Sequence, residues 1–263
     1  MYALIFEDPT TNERVNTYDD WKLAPTARPV FSPPAQKTHF VDVPSANGQI
    51  DLSEALTGYP LYENREDSLS FFVLNELNEV DRSTERWYDL YSRIMKTIHG
   101  KQMRVYLSEE PDFFYFGRFE VDKWNSKKDN SEITLKYSLE PYKYHLTTST
   151  DDWLWDPFDF VNGYIDVTDF KNVNINSSNF VELNITDPDK SFDTAPVVPT
   201  ITVSNVQATM YMRFVNPDMR VDVTYPLKAG KNIFYDCVMV KNQFHMYFKG
   251  RGTVSVDFRN GRL

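Results

Sequence analysis

The sequence contains a single cysteine, Cys237, among its 263 residues. An intrachain disulfide is therefore excluded, so the stability of the fold must come from packing, and synthesis in a reducing compartment is the simplest context. Cys237 precedes the apolar residues 238–240. This setting predicts a core position for the thiol rather than a reactive one.

Glycine and long apolar runs are also scarce. With 9 glycines in the chain, none of the Gly-rich phosphate-binding fingerprints of nucleotide-binding proteins is present. Apolar runs such as 71–74 extend over about four residues, whereas crossing a bilayer takes roughly 20. The start of the chain, where Glu7, Asp8 and Pro9 follow residues 1–6, does not fit a secretory signal. We therefore expect neither a signal peptide nor membrane insertion.

Positive charge is in short supply. The chain carries 28 Lys and Arg against 38 Asp and Glu, which gives a formal net charge of −10. Proteins that grip nucleic-acid phosphates present clustered basic residues. Specific binding of DNA or RNA is therefore disfavoured.

Catalytic and metal-binding signatures are missing as well. The four histidines, His39, His99, His145 and His245, are widely spaced and have no cysteine or histidine at ligand spacing. No Gly-x-Ser-x-Gly elbow indicates a serine nucleophile. The sequence thus predicts no metal site, no cofactor and no enzymatic activity.

One acidic cluster leaves an alternative open. Glu109, Glu110 and Asp112 lie close together in the chain, and paired carboxylates can serve glycoside hydrolysis or bind calcium. A solvated turn is the simpler interpretation. A cell-wall hydrolase that uses these residues is the least favoured of three functional hypotheses.

What the sequence does contain is alternation of apolar and polar residues at every second position, which is typical of strands with one buried face. The number of such segments predicts a mainly β protein built from barrels or sandwiches. The predicted strands are 3–6, 37–43, 68–74, 103–107, 114–121, 132–137, 180–186, 200–204, 208–214, 220–224, 244–248 and 253–258.

Two segments depart from this alternation. Apolar residues that include Leu90, Ile94 and Ile98 recur at spacings of three and four, which predicts one helix over about 84–99, ended by Gly100. Residues 19–36 carry four prolines together with Trp21 and Phe31. Because proline fixes φ and lacks an N–H donor, we expect an irregular arm there, able to reach a neighbouring molecule.

A composition shift at the polar run 147–152 marks the predicted domain boundary. We expect an N-terminal β domain with one helix at 1–146 and a C-terminal β-sandwich at 147–251, while the strand at 252–258 could complete either domain. Just after the boundary, Trp153 and Trp155 lie between acidic residues, with Asp152 before them and Asp156 after them. They are candidates for stacking on sugars, although filling a core or an interface is the simpler interpretation.

Several short motifs, in a particular order, resemble the distal tail protein (Dit) family of long, non-contractile-tailed bacteriophages (siphophages). The resemblance covers about residues 37–144. It rests on Asp51-Leu52, Gly58-Tyr59 and Asn64-Arg65, then on the helix ending at Gly100-Lys101, the acidic turn at 109–112, the aromatic strand ending at Gly117-Arg118, and Pro141-Tyr142-Lys143.

The resemblance implies a fold and an assembly. The N-terminal domain would be barrel-like with one α-helix, and the C-terminal domain a galectin-like β-sandwich. The protein would form a homohexameric ring, possibly stacked with a second ring, at the tail tip of the virion after synthesis in the bacterial host cytoplasm. Its partners would be the tail tube protein, the tail-associated lysin or baseplate proteins, and receptor-binding proteins.

Further expectations concern individual residues and the lumen of the ring. Tyr59, Tyr62, Arg65 and Arg118 are candidate structural or interface residues, and the two arginines could instead be buried ion-pair partners. An acidic lumen would repel the phosphates of DNA in transit and avoid trapping it. The alternative to the ring hub is a carbohydrate-binding protein that recognises host cell-wall polysaccharide through its C-terminal sandwich, with Trp153 and Trp155 as stacking residues.

Overall fold

The computed structural model describes residues 2–45, 47–74, 84–126, 131–150, 170–185, 195–240 and 244–263. The chain divides into two compact units: unit 1 comprises 1–53 and 60–143, and unit 2 comprises 54–59 and 144–263. The described residues are mainly strand with one helix, as the sequence predicts. None of the described helical residues forms a segment long and apolar enough to span a membrane.

The first ten elements build unit 1. They are β1 (Leu4–Glu7), β2 (Arg14–Asn16), β3 (Leu23–Pro25), β4 (Phe40–Asp42), β5 (Gln49–Asp51), β6 (Arg65–Val73), α1 (Thr84–Ile98), β7 (Gln102–Leu107), β8 (Glu110–Ser126) and β9 (Ser131–His145).

The main sheet of unit 1 is nearly closed into a barrel. Its strands follow the order β2-β1-β7-β8-β9-β6-β3. The two ends of this path meet where the backbone N–H of Leu23 donates to the carbonyl of Thr17 over 2.8 Å. Inward-facing side chains from both ends and the middle of the path, such as Phe6, Leu23 and Phe119, therefore share one core.

Aromatic residues fill the interior of this barrel. Phe119 packs edge-on against Phe6, with ring centroids 4.9 Å apart, and also contacts Tyr137. Phe31 lies edge-on to Tyr137 at 5.1 Å. Edge-to-face pairs of this kind add to the stabilisation that burial itself provides.

The helix follows the prediction. Leu90, Ile94 and Ile98 are all buried in the core of unit 1, one turn apart on a single face. The helix ends at Ile98, and Gly100 adopts φ +71°. A left-handed residue at this position is best supplied by glycine.

The prediction of an irregular arm at 19–36 is wrong. Trp21 and Phe31 are buried in the core of unit 1, and residues 23–25 form β3 at the end of the sheet path. Proline is tolerated there because Pro25 lies on an edge strand, where a missing N–H breaks no central ladder. The segment is therefore packed into the core of its own unit and is not an irregular free arm.

Six elements build the described part of unit 2. They are β10 (Val173–Leu183), β11 (Thr200–Asn216), β12 (Val221–Leu227), β13 (Gly230–Ile233), β14 (His245–Asp257) and β15 (Gly261–Arg262). β10-β14-β11-β12 form a sheet in that order, and β13 pairs with the opposite end of β11. The region 252–258, which the sequence left open, supplies the second half of β14 in this sheet.

Two pairs of predicted strands are single strands in the structure. The predictions at 200–204 and 208–214 merge into β11, and those at 244–248 and 253–258 merge into β14. In β11 the alternation is interrupted because residues 204–209 are all exposed, and the register with β14 shifts there. A bulge breaks the sequence period without ending the strand.

Candidate interaction surfaces

The motifs that resemble the distal tail protein family contact one another inside unit 1. Buried Arg65 donates from Nε to the carbonyl of Pro141 over 2.8 Å, and the ring of Tyr62 lies edge-on to that of Tyr142 at 6.0 Å. The Lys143 ammonium lies 2.5 Å from a carboxylate oxygen of Glu110. Residues from motifs that lie far apart in the sequence thus contact one another in the fold.

Arg65 is a buried cation held by carbonyl groups. A second guanidinium nitrogen donates to the carbonyl of Ser32 over 2.9 Å, and the guanidinium lies 5.6 Å from the ring centre of Tyr115. Burial lowers the pKa of Arg65 from its ordinary value. Arg65 forms no ion pair with a carboxylate among the described residues, so the ion-pair interpretation is wrong in this respect.

Arg118 has a different position. Its side chain is exposed and donates to the carbonyl of Gly100 at the end of the helix, and the N–H of Gly100 donates to Phe119 over 2.8 Å. Gly117 is required beside it, because a Cβ at that position would lie 2.3 Å from the carbonyl oxygen of Ser138. The Gly-Arg motif therefore joins β8 to the helix end and to β9, and Arg118 is not a buried ion-pair partner.

Tyr59 lies in unit 2. It is buried, and burial raises the pKa of its phenol. The preceding Gly58 has φ +71°, and a Cβ there would lie 3.5 Å from the carbonyl of Asp218. The Gly-Tyr motif therefore packs the segment 54–59 into unit 2, with glycine suited to the left-handed backbone.

Two carboxylates of the acidic cluster form ion pairs with basic side chains of the same unit. Arg28 lies 2.8 Å from Glu109, and Lys143 pairs with Glu110. The described residues contain no group of three or more His, Cys, Asp or Glu side chains that could hold a metal ion. Trp153 and Trp155, the candidate sugar-stacking residues, lie outside the described residues.

An exposed apolar hairpin is the surface that sequence analysis missed. β4 pairs with β5 and with no other described strand, and all their residues are exposed, including Phe40 at 50% and Ile50 at 51%. Val41, Val43 and Leu52 are exposed as well. The predicted strand at 37–43 is therefore shortened and does not bury one face.

The base of this hairpin is fixed to unit 1. Lys37 donates its N–H to Leu61 over 2.8 Å, and Glu63 donates to Ala35 over 2.7 Å. At the end of β5, Ser53 donates both its hydroxyl and its backbone N–H to the carboxylate of Asp51. These two bonds, the hydroxyl bond first, lower the pKa of Asp51. The hairpin is thus held at its base, while its apolar side chains have no cover among the described residues.

A sequence signal for the hairpin exists in Asn47-Gly48. Asparagine followed by glycine favours a turn. Here the pair stands at the end of a six-residue connection between the paired residues Asp42 and Gln49, and Gly48 has φ +79° with open space where a Cβ would be. What periodicity could not show is that neither face of the hairpin is buried among the described residues.

A buried carboxylate forms a second polar cluster that sequence analysis missed. Glu7 accepts hydrogen bonds from Arg14 at 2.6 Å, Arg104 at 2.8 Å and Tyr106 at 3.1 Å. Burial alone would raise the pKa of Glu7, but these donors outweigh it and hold the pKa below its ordinary value. The cluster joins β1, β2 and β7 at one end of the sheet path.

Comparison with known proteins gives likeness in structure but not in sequence. No protein-family model matches the chain, and no curated protein is significantly similar to it. The Dit protein of phage SPP1, described as a paradigm of the hub adsorption apparatus in phages that infect Gram-positive bacteria, matches with a TM-score of 0.58 and 14% identity over 100% of both chains. A chain of the phage p2 baseplate in its activated conformation with strontium matches with a TM-score of 0.41 and 8% identity over 100% of this chain and 98% of that one.

The SPP1 match spans both units, including the second half, where the sequence resemblance is weak. At 14% identity, this match establishes similarity of fold only. The resemblance to the distal tail protein family is therefore confirmed at that level: the chain has the Dit fold.

Proposed function

We propose that this protein is a hub component of a bacteriophage tail tip. In this role it forms a homohexameric ring that joins the tail tube to the host-adsorption proteins and lets DNA pass. The observation that carries the proposal is the match in fold to the SPP1 hub protein over the full length of both chains. The family motifs in unit 1 also support it, because their side chains contact one another. These contacts explain why those residues occur together in the sequence.

The exposed hairpin supplies the contact that a ring needs. In a cyclic homo-oligomer each copy presents one surface to the next copy and a different one to the previous copy. Val41 and its cross-strand partner Ile50 form an exposed apolar pair on one face of a segment held at its base, and Phe40 is exposed on the other face. Covering these side chains with the next subunit would remove them from water at a gain of about 25 cal/mol per Å² of apolar area.

The family-motif residues have a supporting role in this proposal. Arg65 and Tyr62 hold the barrel of unit 1 in shape through Pro141 and Tyr142, and Tyr59 anchors 54–59 in unit 2. Arg118 is exposed and Tyr62 is half-buried, so of the four predicted residues Arg118 offers the most surface to a neighbouring subunit.

Sedimentation velocity on matched variants tests the proposal. Val41 and Ile50 are cross-strand partners, so V41S/I50S removes apolar surface from the hairpin without touching a core. The control V206S/I233S makes the same two changes at exposed positions of unit 2. We expect the wild type and the control to sediment as hexamers and V41S/I50S as a smaller species with unchanged circular dichroism.

Two results would contradict this account. A wild type that stays monomeric at every concentration would overturn self-assembly into a ring. Hexamers that persist in V41S/I50S would remove the hairpin as the contact.

A further inference from the structure

The connection between β4 and β5 contains a chemically reactive dipeptide. Asn47 and Gly48 stand directly before Gln49, the first residue of β5, and both are exposed. An asparagine that precedes glycine can lose its side-chain amide without an enzyme. Glycine has no side chain to hinder the approach of its backbone nitrogen to the asparagine Cγ. Whether the reaction occurs depends on how firmly the fold restrains the pair.

No hydrogen bond restrains the reacting groups of this pair. Among the described residues, the N–H of Gly48 donates no hydrogen bond and the side chain of Asn47 makes none. Gly48 has φ +79°, and nothing lies within 4 Å of the place where a Cβ would be. Exposed segments without such bonds move at almost no cost in free energy. The pair can therefore rotate into the geometry for ring closure without breaking a hydrogen bond of these groups.

The reaction needs only the chain itself and one molecule of water. The backbone nitrogen of Gly48 bonds to Cγ of Asn47, which forms a cyclic imide. The carbon–nitrogen bond of the side-chain amide breaks, and that nitrogen takes the proton of the Gly48 N–H and leaves as ammonia. Water then opens the imide at one of its two carbonyl carbons, which gives aspartate or isoaspartate. In both products a neutral amide has become a carboxylate, and nothing is oxidised or reduced.

The same dipeptide is restrained at a second place in the chain. Gly261 is buried in β15, and this strand pairs with β9. The carbonyl of Asn260 accepts a hydrogen bond from the N–H of His145 over 2.9 Å. Because pairing holds the backbone around Gly261 in place, ring closure at Asn260 requires the strand to open first. The third pair, Asn162-Gly163, lies outside the described residues.

We propose that Asn47 is a modification site, at which spontaneous deamidation adds a carboxylate to the exposed hairpin. Residues 40–51 contain Asp42 and Asp51 but no lysine or arginine. The change therefore increases the carboxylates of this segment from two to three, with no basic side chain of its own to balance them. The modification alters the charge of the segment that carries the proposed subunit contact, but its chemistry does not depend on formation of a ring.

The test follows the full-length protein during incubation at neutral pH. Wild type is compared with V41S/I50S, the variant designed to leave the hairpin uncovered. Cleavage after lysine places Asn47 in the peptide 38–96, Asn260 in 250–263 and Asn162 in 144–171. Mass spectrometry detects the gain in mass when an amide becomes a carboxylate, and fragmentation assigns the residue and distinguishes isoaspartate from aspartate.

The two described dipeptides should react at different rates in the folded protein. We expect Asn47 of V41S/I50S to react at least about tenfold faster than Asn260, since an opening free energy of about 1.4 kcal/mol for β15 already corresponds to that ratio. In denaturant the restraint on Gly261 is lost. The rates at Asn47 and Asn260 should then become similar.

Three variants check the chemistry. N47Q should show no gain in mass at position 47, because the longer side chain closes a less favourable ring. G48A places a methyl group beside the attacking nitrogen and should slow the reaction roughly tenfold, which corresponds to about 1.4 kcal/mol in the activation barrier. The matched control N260Q should leave the rate at Asn47 unchanged. Circular dichroism checks that each variant is folded.

The outcomes separate this proposal from the hub role. Reaction at Asn47 in both folded forms supports the site, and reaction in V41S/I50S alone supports it with the connection covered in the assembled wild type. Absence of reaction in both folded forms would overturn it, as would equal rates at Asn47 and Asn260 in folded V41S/I50S. Neither of these failures bears on the ring, which the sedimentation experiment decides.

Discussion

The two units use aromatic side chains in different ways. In unit 1, Phe119 contacts both Phe6 and Tyr137 in a buried interior. In unit 2, Tyr211 and Phe180 stand on an open sheet face beside Lys249. Aromatic content alone, 15% of the chain, does not distinguish these uses. Position in the sheet decides whether a ring stabilises the fold or remains available for contact.

The sharpest way to break this comparison is to delete one ring from each unit. Phe119 is fully buried, so F119A leaves a cavity and should lower the free energy of unfolding of unit 1 by about 3 to 5 kcal/mol. F180A removes an equally large but exposed ring from unit 2 and should cost less than about 1 kcal/mol. Urea unfolding followed by circular dichroism measures both, and equal losses would contradict the distinction.

The next largest effect should come from the close approach of strands in unit 1. G117A places a methyl group 2.3 Å from the Ser138 carbonyl oxygen, so the backbone must move, at a cost of about 2 to 3 kcal/mol. G48A is the control. It has free space but a left-handed backbone, and should cost about 1 kcal/mol. A smaller loss for G117A than for G48A, by urea unfolding, would show that β8 and β9 separate without strain.

A pH-dependent contribution distinguishes the buried carboxylate of unit 1. The pKa of Glu7 is held below its ordinary value by its hydrogen bonds from Arg104, Arg14 and Tyr106, which outweigh the effect of burial. These bonds therefore contribute fully above the ordinary pKa of a glutamate and less as the pH falls through the lowered pKa. E7Q should therefore cost about 1.5 kcal/mol at neutral pH, and the difference from the wild type should shrink under acid.

Denaturant titrations from neutral to acid pH measure this difference. E13Q removes the same charge from an exposed side chain of the neighbouring loop and should have little effect. A wild-type advantage over E7Q that grows with acidity would reverse the sign and contradict the account.

The smallest effect concerns the core of unit 2. Burial, together with neighbouring Asp236, raises the pKa of Cys237 to about 12, so almost no thiolate is present at neutral pH. We expect no reaction of native protein with a thiol reagent such as iodoacetamide, followed by complete reaction in denaturant, as read by mass spectrometry. Rapid labelling of the native protein would show that this core opens.

Local pattern was sufficient where a segment packs on one continuous core. The spacing of Leu90, Ile94 and Ile98 predicts α1, and Gly100 marks its end, because a helix that packs by one face repeats that face in its sequence. The core position of Cys237 also followed from its apolar neighbours, and burial at 1% confirms it.

Local pattern failed where distant pairing decides the structure. β11 appeared as two strands because residues 204–209 interrupt its period, whereas pairing with β14 continues on both sides. Residues 19–36 suggested an arm because prolines dominate them, whereas Trp21 and Phe31 find a core whose other walls lie far along the chain. The strand predicted at 37–43 is present in shortened form, but it does not bury one face. Periodicity in a sequence indicates a strand and does not show whether a partner surface exists to cover it.

The interaction sites were the least predictable part. The motif residues Tyr62, Arg65 and Arg118 were selected together, yet their individual contacts with Tyr142, Pro141 and Gly100 depend on how three sheet strands and a helix end meet. The Arg213–Asp222 and His245–Glu182 pairs of unit 2 join residues from four strands. Which basic residue pairs with which acidic one depends on the register of these strands.

The central claim is the ring, and negative-stain electron microscopy of the purified protein tests it most directly, alongside its mass by light scattering. We predict annular particles with six-fold symmetry, an open centre and a mass six times the 30.8 kDa of one chain, or twice that value if two rings stack. Particles of another symmetry, or compact particles without a central opening, would contradict the proposal that this chain forms the hub of a phage tail tip.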